Sequence, residues 1–220
     1  IEWVTFLKVD HLPKPGVISH SKNSIDYPAG GGAVIAKTLA DLTNKKVHFF
    51  TSLGNDYYGE QCFNILSNMG LKLHVAWRDK PTRRGFSLTD SDGERSITVI
   101  GERLAPTFKD KLDWKIFEKM DGIFITASDS NIIKSARTAK SLCTTPRVGL
   151  NIIKKSQVCL DGLIGSNLDP DEAFSLSEIS IKPRYIIKTE GHNGGIVFPG
   201  GRRYKAFKNI NPVVDSYGCG

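Results

Sequence analysis

Apolar positions in the first half of the chain change period several times, and each change marks an element. Over residues 33–42, Ala33, Ile35, Ala36, Leu39, Ala40 and Leu42 fall at helical spacing, which predicts an amphipathic helix. The short run Val47-His48-Phe49-Phe50 predicts a strand, and residues 58–69 a second helix that Gly70 ends. Alternating runs at 84–89 and 95–100 flank Asp90-Ser91-Asp92-Gly93, the pattern of a β-hairpin. Before them, Pro13-Lys14-Pro15-Gly16 is a turn and residues 17–27 have room for two short strands. From Asp113 onward the order becomes strand (122–126), helix (132–142), short strands (148–150 and 163–165) and a clear strand at 185–189. Strands alternating with helices predict a doubly wound α/β body, with a mostly parallel sheet and helices on both faces. The early strands (about 5–30) and the hairpin (84–100) are left over for a small β lid. Ligands of such sheets sit at the carboxyl ends of strands, so the loops after Thr126, Thr189 and Val214 are the places to look for chemistry.

Composition narrows the function classes. The 220 residues are 40% hydrophobic and 24% charged, as in ordinary soluble domains, and no apolar run approaches the ~20 residues of a membrane span. Cys62, Cys143, Cys159 and Cys219 are far apart without a C-x-x-C pair, which argues against a disulfide framework or a zinc site and for a reducing, cytoplasmic setting. The formal charge of +7 is spread over isolated pairs such as Lys45-Lys46, Arg83-Arg84, Lys154-Lys155 and Arg202-Arg203. Scattered pairs read as solvated surface and not as a nucleic-acid stripe, although a positive balance also suits phosphate-bearing ligands. The five histidines have no metal spacing, the three tryptophans read as packing, and no serine elbow supports hydrolase chemistry. Ile1-Glu2-Trp3-Val4 reads as the middle of a strand, so the chain is expected to be part of a longer protein.

Pro28-Ala29-Gly30-Gly31-Gly32-Ala33 runs into the first predicted helix. A dinucleotide fingerprint would need a third glycine where Ile35 stands. A P-loop is a sharper alternative, since Gly31-Gly32-Ala33-Val34-Ile35-Ala36-Lys37-Thr38 departs from G-x-x-x-x-G-K-T only at Ala36. Two β-branched residues would then lie where the loop must curl around phosphate. A glycine turn before a helix is the plainer reading, and a loop whose backbone comes close to a ligand is the last.

Three later segments favour the last reading. Ser52-Leu53-Gly54-Asn55-Asp56-Tyr57-Tyr58-Gly59 follows a strand, with Asp56 placed to start a helix. Lys188-Thr189-Glu190-Gly191-His192-Asn193-Gly194-Gly195 places small residues at a strand end. The chain finishes Val213-Val214-Asp215-Ser216-Tyr217-Gly218-Cys219-Gly220, an apolar strand end, a polar turn and alternating small residues. In this order the segments resemble the di-glycine loop, the Gly-x-Asp-x-x-Gly segment, the Thr-x-Gly-x-x-Gly stretch and the Asp-Thr-x-Gly-Ala-Gly-Asp motif of ribokinase/PfkB-type carbohydrate kinases. The resemblance covers essentially the whole chain, up to the residue before that family's catalytic aspartate.

It implies a single ribokinase-like domain over residues 1–220, incomplete at its C-terminus, that phosphorylates a hydroxyl of a sugar or sugar-like alcohol with ATP and Mg²⁺. A monovalent cation such as K⁺ and a homodimer formed through the lid are implied as well. In the family's pattern Gly218, Cys219 and Gly220 would form the anion hole, and Glu2, Gly30, Gly31, Gly32 and Asp129 would meet the acceptor. Asn167, Thr189, Glu190, Gly191 and Gly194 would meet the nucleotide, with Asp169 and Glu172 as metal candidates in a loose match to Asn-x-x-Glu. A helix start competes for Asp129, and also for Asn167, Asp169 and Glu172. A piece that stops before the aspartate is expected to be inactive alone. The sequence also departs from the pattern. Glu2-Trp3-Val4 replaces the sugar-binding Asn-x-Asp pair, and Val34 replaces an asparagine after the glycines, so ribose specificity is not expected. A non-catalytic binding protein on the same fold is the rival reading.

Overall fold

The computed structural model describes residues 1–208 and Tyr217. The chain divides into two compact units, one holding residues 1–105 with Tyr217 and the other residues 106–208.

In the first unit, strands β1 (Glu2–Val9), β2 (Ser21–Ala29), β5 (Arg84–Thr89) and β6 (Arg95–Ile100) form a sheet in the order β2-β1-β5-β6. Only β1 and β5 run parallel. The expected hairpin is present with its boundaries as read, whereas residues 17–27 yield a single strand, β2. A second, parallel pair joins β3 (His48–Gly54) to β4 (Lys72–Arg78). Helices α1 (Gly31–Leu42) and α2 (Tyr57–Asn68) pack here through Ala33, Ala36, Leu66 and Cys62, with Leu53 and Trp3 completing the core.

A polar joint links β3 to α2. The Asp56 carboxylate accepts from the Gly59 N–H (2.8 Å), the Thr82 N–H (2.7 Å) and the Thr82 hydroxyl (2.7 Å), while Thr82 Oγ1 accepts from the Gly54 N–H (3.0 Å). A Cβ on Gly54 would lie 2.4 Å from the Lys80 carbonyl oxygen, and one on Gly59 only 2.0 Å from that of Gly54. The spacing of glycine, aspartate and glycine is therefore a packing requirement, and Asp56 is the helix N-cap.

Among the described residues the second unit holds a six-stranded sheet in the order β12-β11-β10-β9-β8-β7. Strands β7 (Gly122–Ile125), β8 (Ser141–Thr144), β9 (Gly162–Ser166) and β10 (Tyr185–Thr189) are parallel, and β11 (Gly195–Phe198) and β12 (Arg202–Tyr204) add antiparallel edges. Register puts Ile125, Leu142, Thr144, Leu163 and Ile186 on one buried face, and α3 (Ser130–Ala136) and α4 (Leu150–Ser156) bury Ile132, Ile133, Ala136 and Ile153. The other face carries half-buried Phe124, Cys143, Ile164, Ile187 and Val197, with a shallow groove of about 380 Å³. The molecule is thus α/β with mixed sheets. Among the described residues no helix is long and apolar enough to cross a membrane.

Two sequence expectations fail in this unit. The helix expected over 132–142 stops at Ala136, because the Arg137 guanidinium turns back onto the carbonyls of Ala139 and Cys159 and the carboxylate of Asp161. Ser141–Thr144 then pairs as a strand. Residues 148–150, expected as a strand, instead lie across a 3₁₀ turn started by Pro146 and the first turn of α4, with Gly149 at φ +101° between them.

Candidate functional site

In the first unit the site is built around the junction of β2 and α1. Gly30 is the N-cap of α1 with φ 88° and ψ 155°, a conformation open only to glycine, and among the described residues no side chain caps the helix. The first N–H groups of α1 therefore face outward as hydrogen-bond donors. Glu2 of β1 lies beside them, since a Cβ on Gly30 would be 3.5 Å from Glu2 Cγ. Its carboxylate pairs with Arg83 at 3.4 Å, both side chains being about four-fifths buried. The Tyr217 hydroxyl accepts from the Gly30 N–H (3.0 Å), and its ring meets Phe6 edge-on at 5.0 Å.

Sheet register decides what surrounds this junction. Glu2, Val4 and Phe6 share a face with Ile25, Tyr27 and Ala29 of β2 and with Gly85 and Ser87 of β5. Val4 packs closely over Gly85, where a Cβ would lie 3.2 Å from Val4 Cγ2 and 3.8 Å from the Glu2 carboxylate. Two buried polar atoms on this side, Ser87 Oγ and Arg83 Nε, have no hydrogen-bond partner among the described residues. The surface is amphipathic, with a charged and hydrogen-bonding corner at Glu2, Gly30 and Arg83 and an apolar, largely aromatic remainder.

In the second unit the carboxyl ends of β8, β9 and β10 carry a dense polar cluster, as expected for a parallel sheet. Arg147, in the 3₁₀ turn after β8, is bridged by two acids: its Nε donates to Glu172 Oε1 (2.7 Å) and its Nη2 to Asp169 Oδ2. The other Glu172 oxygen accepts from the Ser166 N–H at the end of β9 (2.6 Å), and a Cβ on Gly165 would press on Glu172. Asn167 joins β9 to β10, its N–H donating to the Thr189 carbonyl (2.8 Å) and its side-chain amide to Glu190 (3.2 Å). Glu190 also receives the Arg203 guanidinium. After Thr189 the chain makes a tight turn closed by the Glu190 N–H onto the Gly194 carbonyl (2.7 Å). Gly191 (φ 56°) and Gly194 (φ 86°) shape it, and a Cβ on Gly194 would lie 1.9 Å from the Tyr204 carbonyl oxygen.

The sequence-predicted residues fall as follows. Glu2 and Gly30 come together, and Gly31 and Gly32 are the first residues of α1. Asn167, Thr189, Glu190, Gly191 and Gly194 gather in one loop cluster with Asp169 and Glu172. Asp129 caps α3, accepting from the N–H groups of Asn131 and Ile132 (both 2.9 Å) and of Phe108 (2.8 Å), so the helix-start role fits it. Gly218, Cys219 and Gly220 lie outside the described residues. The P-loop alternative fails, because residues 31–38 are already helical and Lys37 pairs with Asp41 one turn on. Asp169 and Glu172, the acids expected to face a metal, are both paired with Arg147. Among the described residues no group of three acidic, histidine or cysteine side chains could hold one. Sequence reasoning missed Arg83, Arg147 and Arg203, whose partners are far away in the chain, and Tyr217, which is hidden inside a glycine motif.

Comparisons with known proteins bear on the family and the fold. The sequence profile described as "pfkB family carbohydrate kinase" matches residues 6–157. No curated protein sequence gives a match. Among solved structures, the ribokinase of Thermotoga maritima is similar at a TM-score of 0.67 and 21% identity, over 95% of this chain and 76% of that one. The ribokinase of Giardia lamblia is similar at a TM-score of 0.75 and 11% identity, over 99% and 76%. The ribokinase of Cryptococcus neoformans in complex with ADP is similar at 0.64 and 18% identity, over 99% and 80%. At these identities the structural likenesses establish the fold.

Proposed function

Because the chain belongs to the pfkB family of carbohydrate kinases, we propose that it transfers the γ-phosphoryl group of ATP to a hydroxyl of an acceptor alcohol that is only partly sugar-like. The acceptor is assigned to the first unit. Its reactive end lies at Glu2, Gly30 and the open amino end of α1, where backbone donors and one carboxylate orient hydroxyl groups. Its other end lies against Val4, Phe6, Tyr27 and the Tyr217 ring. The nucleotide is assigned to the second unit, at the loop formed by Asn167, Thr189, Glu190, Gly191 and Gly194. The ADP complex of the fungal ribokinase supports a nucleotide of this class. Gly218, Cys219 and Gly220 would supply N–H groups to the charge that develops on the transferring group.

One observation carries the acceptor assignment: Glu2 and the Gly30 N-cap meet at the edge of an apolar, aromatic sheet face. A simple pentose would have to leave several hydroxyls against that face without partners, and burying an unpaired hydroxyl is costly. An acceptor with a flat or apolar portion loses nothing there. The test is an ADP-release screen of the full-length protein over pentoses, hexoses, ketohexoses, polyols and nucleosides, repeated with Glu2→Gln. Acceptors with an apolar portion should lead in kcat/KM, and Glu2→Gln should change the ranking. Ribose as the best substrate, or an unchanged ranking in Glu2→Gln, would refute the acceptor assignment.

A further inference from the structure

The carboxylates at the end of β9 invite a cation, and the chain supplies its own. Asp169 and Glu172 are separated from Arg147 by 22 and 25 residues, yet one guanidinium reaches both. Its Nε and Nη2 take one carboxylate each, a planar two-pronged geometry that lysine cannot reproduce. The remaining oxygens are engaged too. Glu172 Oε2 accepts from the Ser166 N–H and Asp169 Oδ1 from the Asp171 N–H (2.9 Å). The Glu172 side chain is only 12% exposed, whereas the Arg147 side chain is 44% exposed. Partial burial works against the guanidinium's charge, but the two acids outweigh it and hold the group more firmly in its protonated form.

A hard divalent ion needs near-octahedral oxygen ligands at short range. To ligate Asp169 and Glu172 it would have to expel a guanidinium that carries a full positive charge and satisfies both carboxylates. We propose that Arg147 is the resident cation of this carboxylate pair, that Asp169 and Glu172 are not metal ligands, and that Arg147 acts as a positioning residue by fixing Glu172 on the β9 end. The inference rests on the kinase reading only for the expectation of a metal at this place, and it is tested by binding, without turnover.

The experiment measures Mn²⁺ binding to the nucleotide-free, full-length protein by electron paramagnetic resonance. Wild type should bind no Mn²⁺ through this pair, so Asp169→Asn and Glu172→Gln should leave its titration unchanged. Arg147→Met keeps most of the stem and removes the charge. It should gain Mn²⁺ affinity at this site by at least about tenfold, since a like charge a few ångströms away is lost. Adding Glu172→Gln should abolish the gain. Stoichiometric Mn²⁺ binding by wild type that Asp169→Asn or Glu172→Gln removes would overturn the proposal, as would a folded Arg147→Met with no gain. Should Arg147→Met fail to fold, wild-type crystals soaked in MnCl₂ decide. The guanidinium is expected to stay between the two acids, and an anomalous peak at ligand distance from either one would refute it.

Discussion

Replacing Asp56 by alanine strips three donors of their acceptor at once. The carboxylate receives the N–H groups of Gly59 and Thr82 and the Thr82 hydroxyl, and Thr82 is 4% exposed, so water cannot replace what is lost there. Losing an N-cap costs about 0.5–2 kcal/mol. A buried donor left without its charged acceptor adds about 1–3 kcal/mol. These contributions share one carboxylate and do not simply add, so a loss of about 3 kcal/mol is expected for Asp56→Ala. Asp56→Asn keeps one acceptor oxygen but turns an amide toward Thr82, and should fall roughly midway. Urea unfolding followed by fluorescence, with Trp3 buried in this unit's core, measures the difference. With a slope of about 1.5 kcal/mol per molar, the midpoint should fall by roughly 2 M.

Acid supplies a second readout of the same joint. Burial alone would raise the Asp56 pKa, but the hydrogen bonds from Gly59 and Thr82, with Arg84 nearby, outweigh it and hold the carboxyl below its ordinary value. A group depressed in the folded state stabilises above its unfolded pKa, about 3.9, and that stability is lost as the pH falls through the folded value. The acid limb of the wild-type profile should therefore be steeper than that of Asp56→Ala. A loss below about 1 kcal/mol in Asp56→Ala, with parallel acid limbs, would show that the joint does not hold β3 to α2.

Four other outcomes follow from the same structure. Cys62 is buried and burial pushes its thiol up to about 12, so thiol labelling mapped by mass spectrometry should modify exposed Cys159 in the folded protein and reach Cys62 only on unfolding. His48 bonds to His74 at 3.0 Å, and burial, with Lys72 and Lys46 nearby, lowers its pKa. Stability should be full above about pH 6.5 and decline as the pH falls below it, a slope that His48→Gln should flatten in urea melts at pH 7.5 and 5.5. Gly194→Ala forces a Cβ onto the Tyr204 backbone at a positive φ and should weaken ADP binding by about tenfold or more, measured by calorimetry. Hydrogen exchange with ADP should then show protection at residues 189–195 and none at 31–38.

What the sequence discloses depends on how local the cause is. Helix α1, the β5–β6 hairpin and the Asp56 cap were legible because each is set within a few residues: a glycine N-cap, an Asp/Gly turn, an aspartate three residues before the N–H it accepts. Helix α3 was drawn too long because Ile132, Ile133, Ala136, Ala139 and Leu142 do keep a helical period. The interaction that breaks it, Arg137 with Asp161, spans 24 residues and leaves no local trace. Arg147 was invisible for the same reason, and Arg203 passed as one of several basic surface pairs. The Asn167–Thr189–Gly194 region was legible as a glycine-rich strand end. What could not be read was that its acids already have arginine partners.

Phosphoryl transfer to an alcohol can be followed atom by atom in ³¹P NMR of the full-length protein with ATP and the best acceptor from the screen. The γ-phosphate signal should give way to ADP and a new phosphate monoester, only when acceptor is present and with little inorganic phosphate. Loss of the γ-phosphate to inorganic phosphate alone, at a rate indifferent to acceptor, would contradict it, as would tight binding of ATP and acceptor with no turnover.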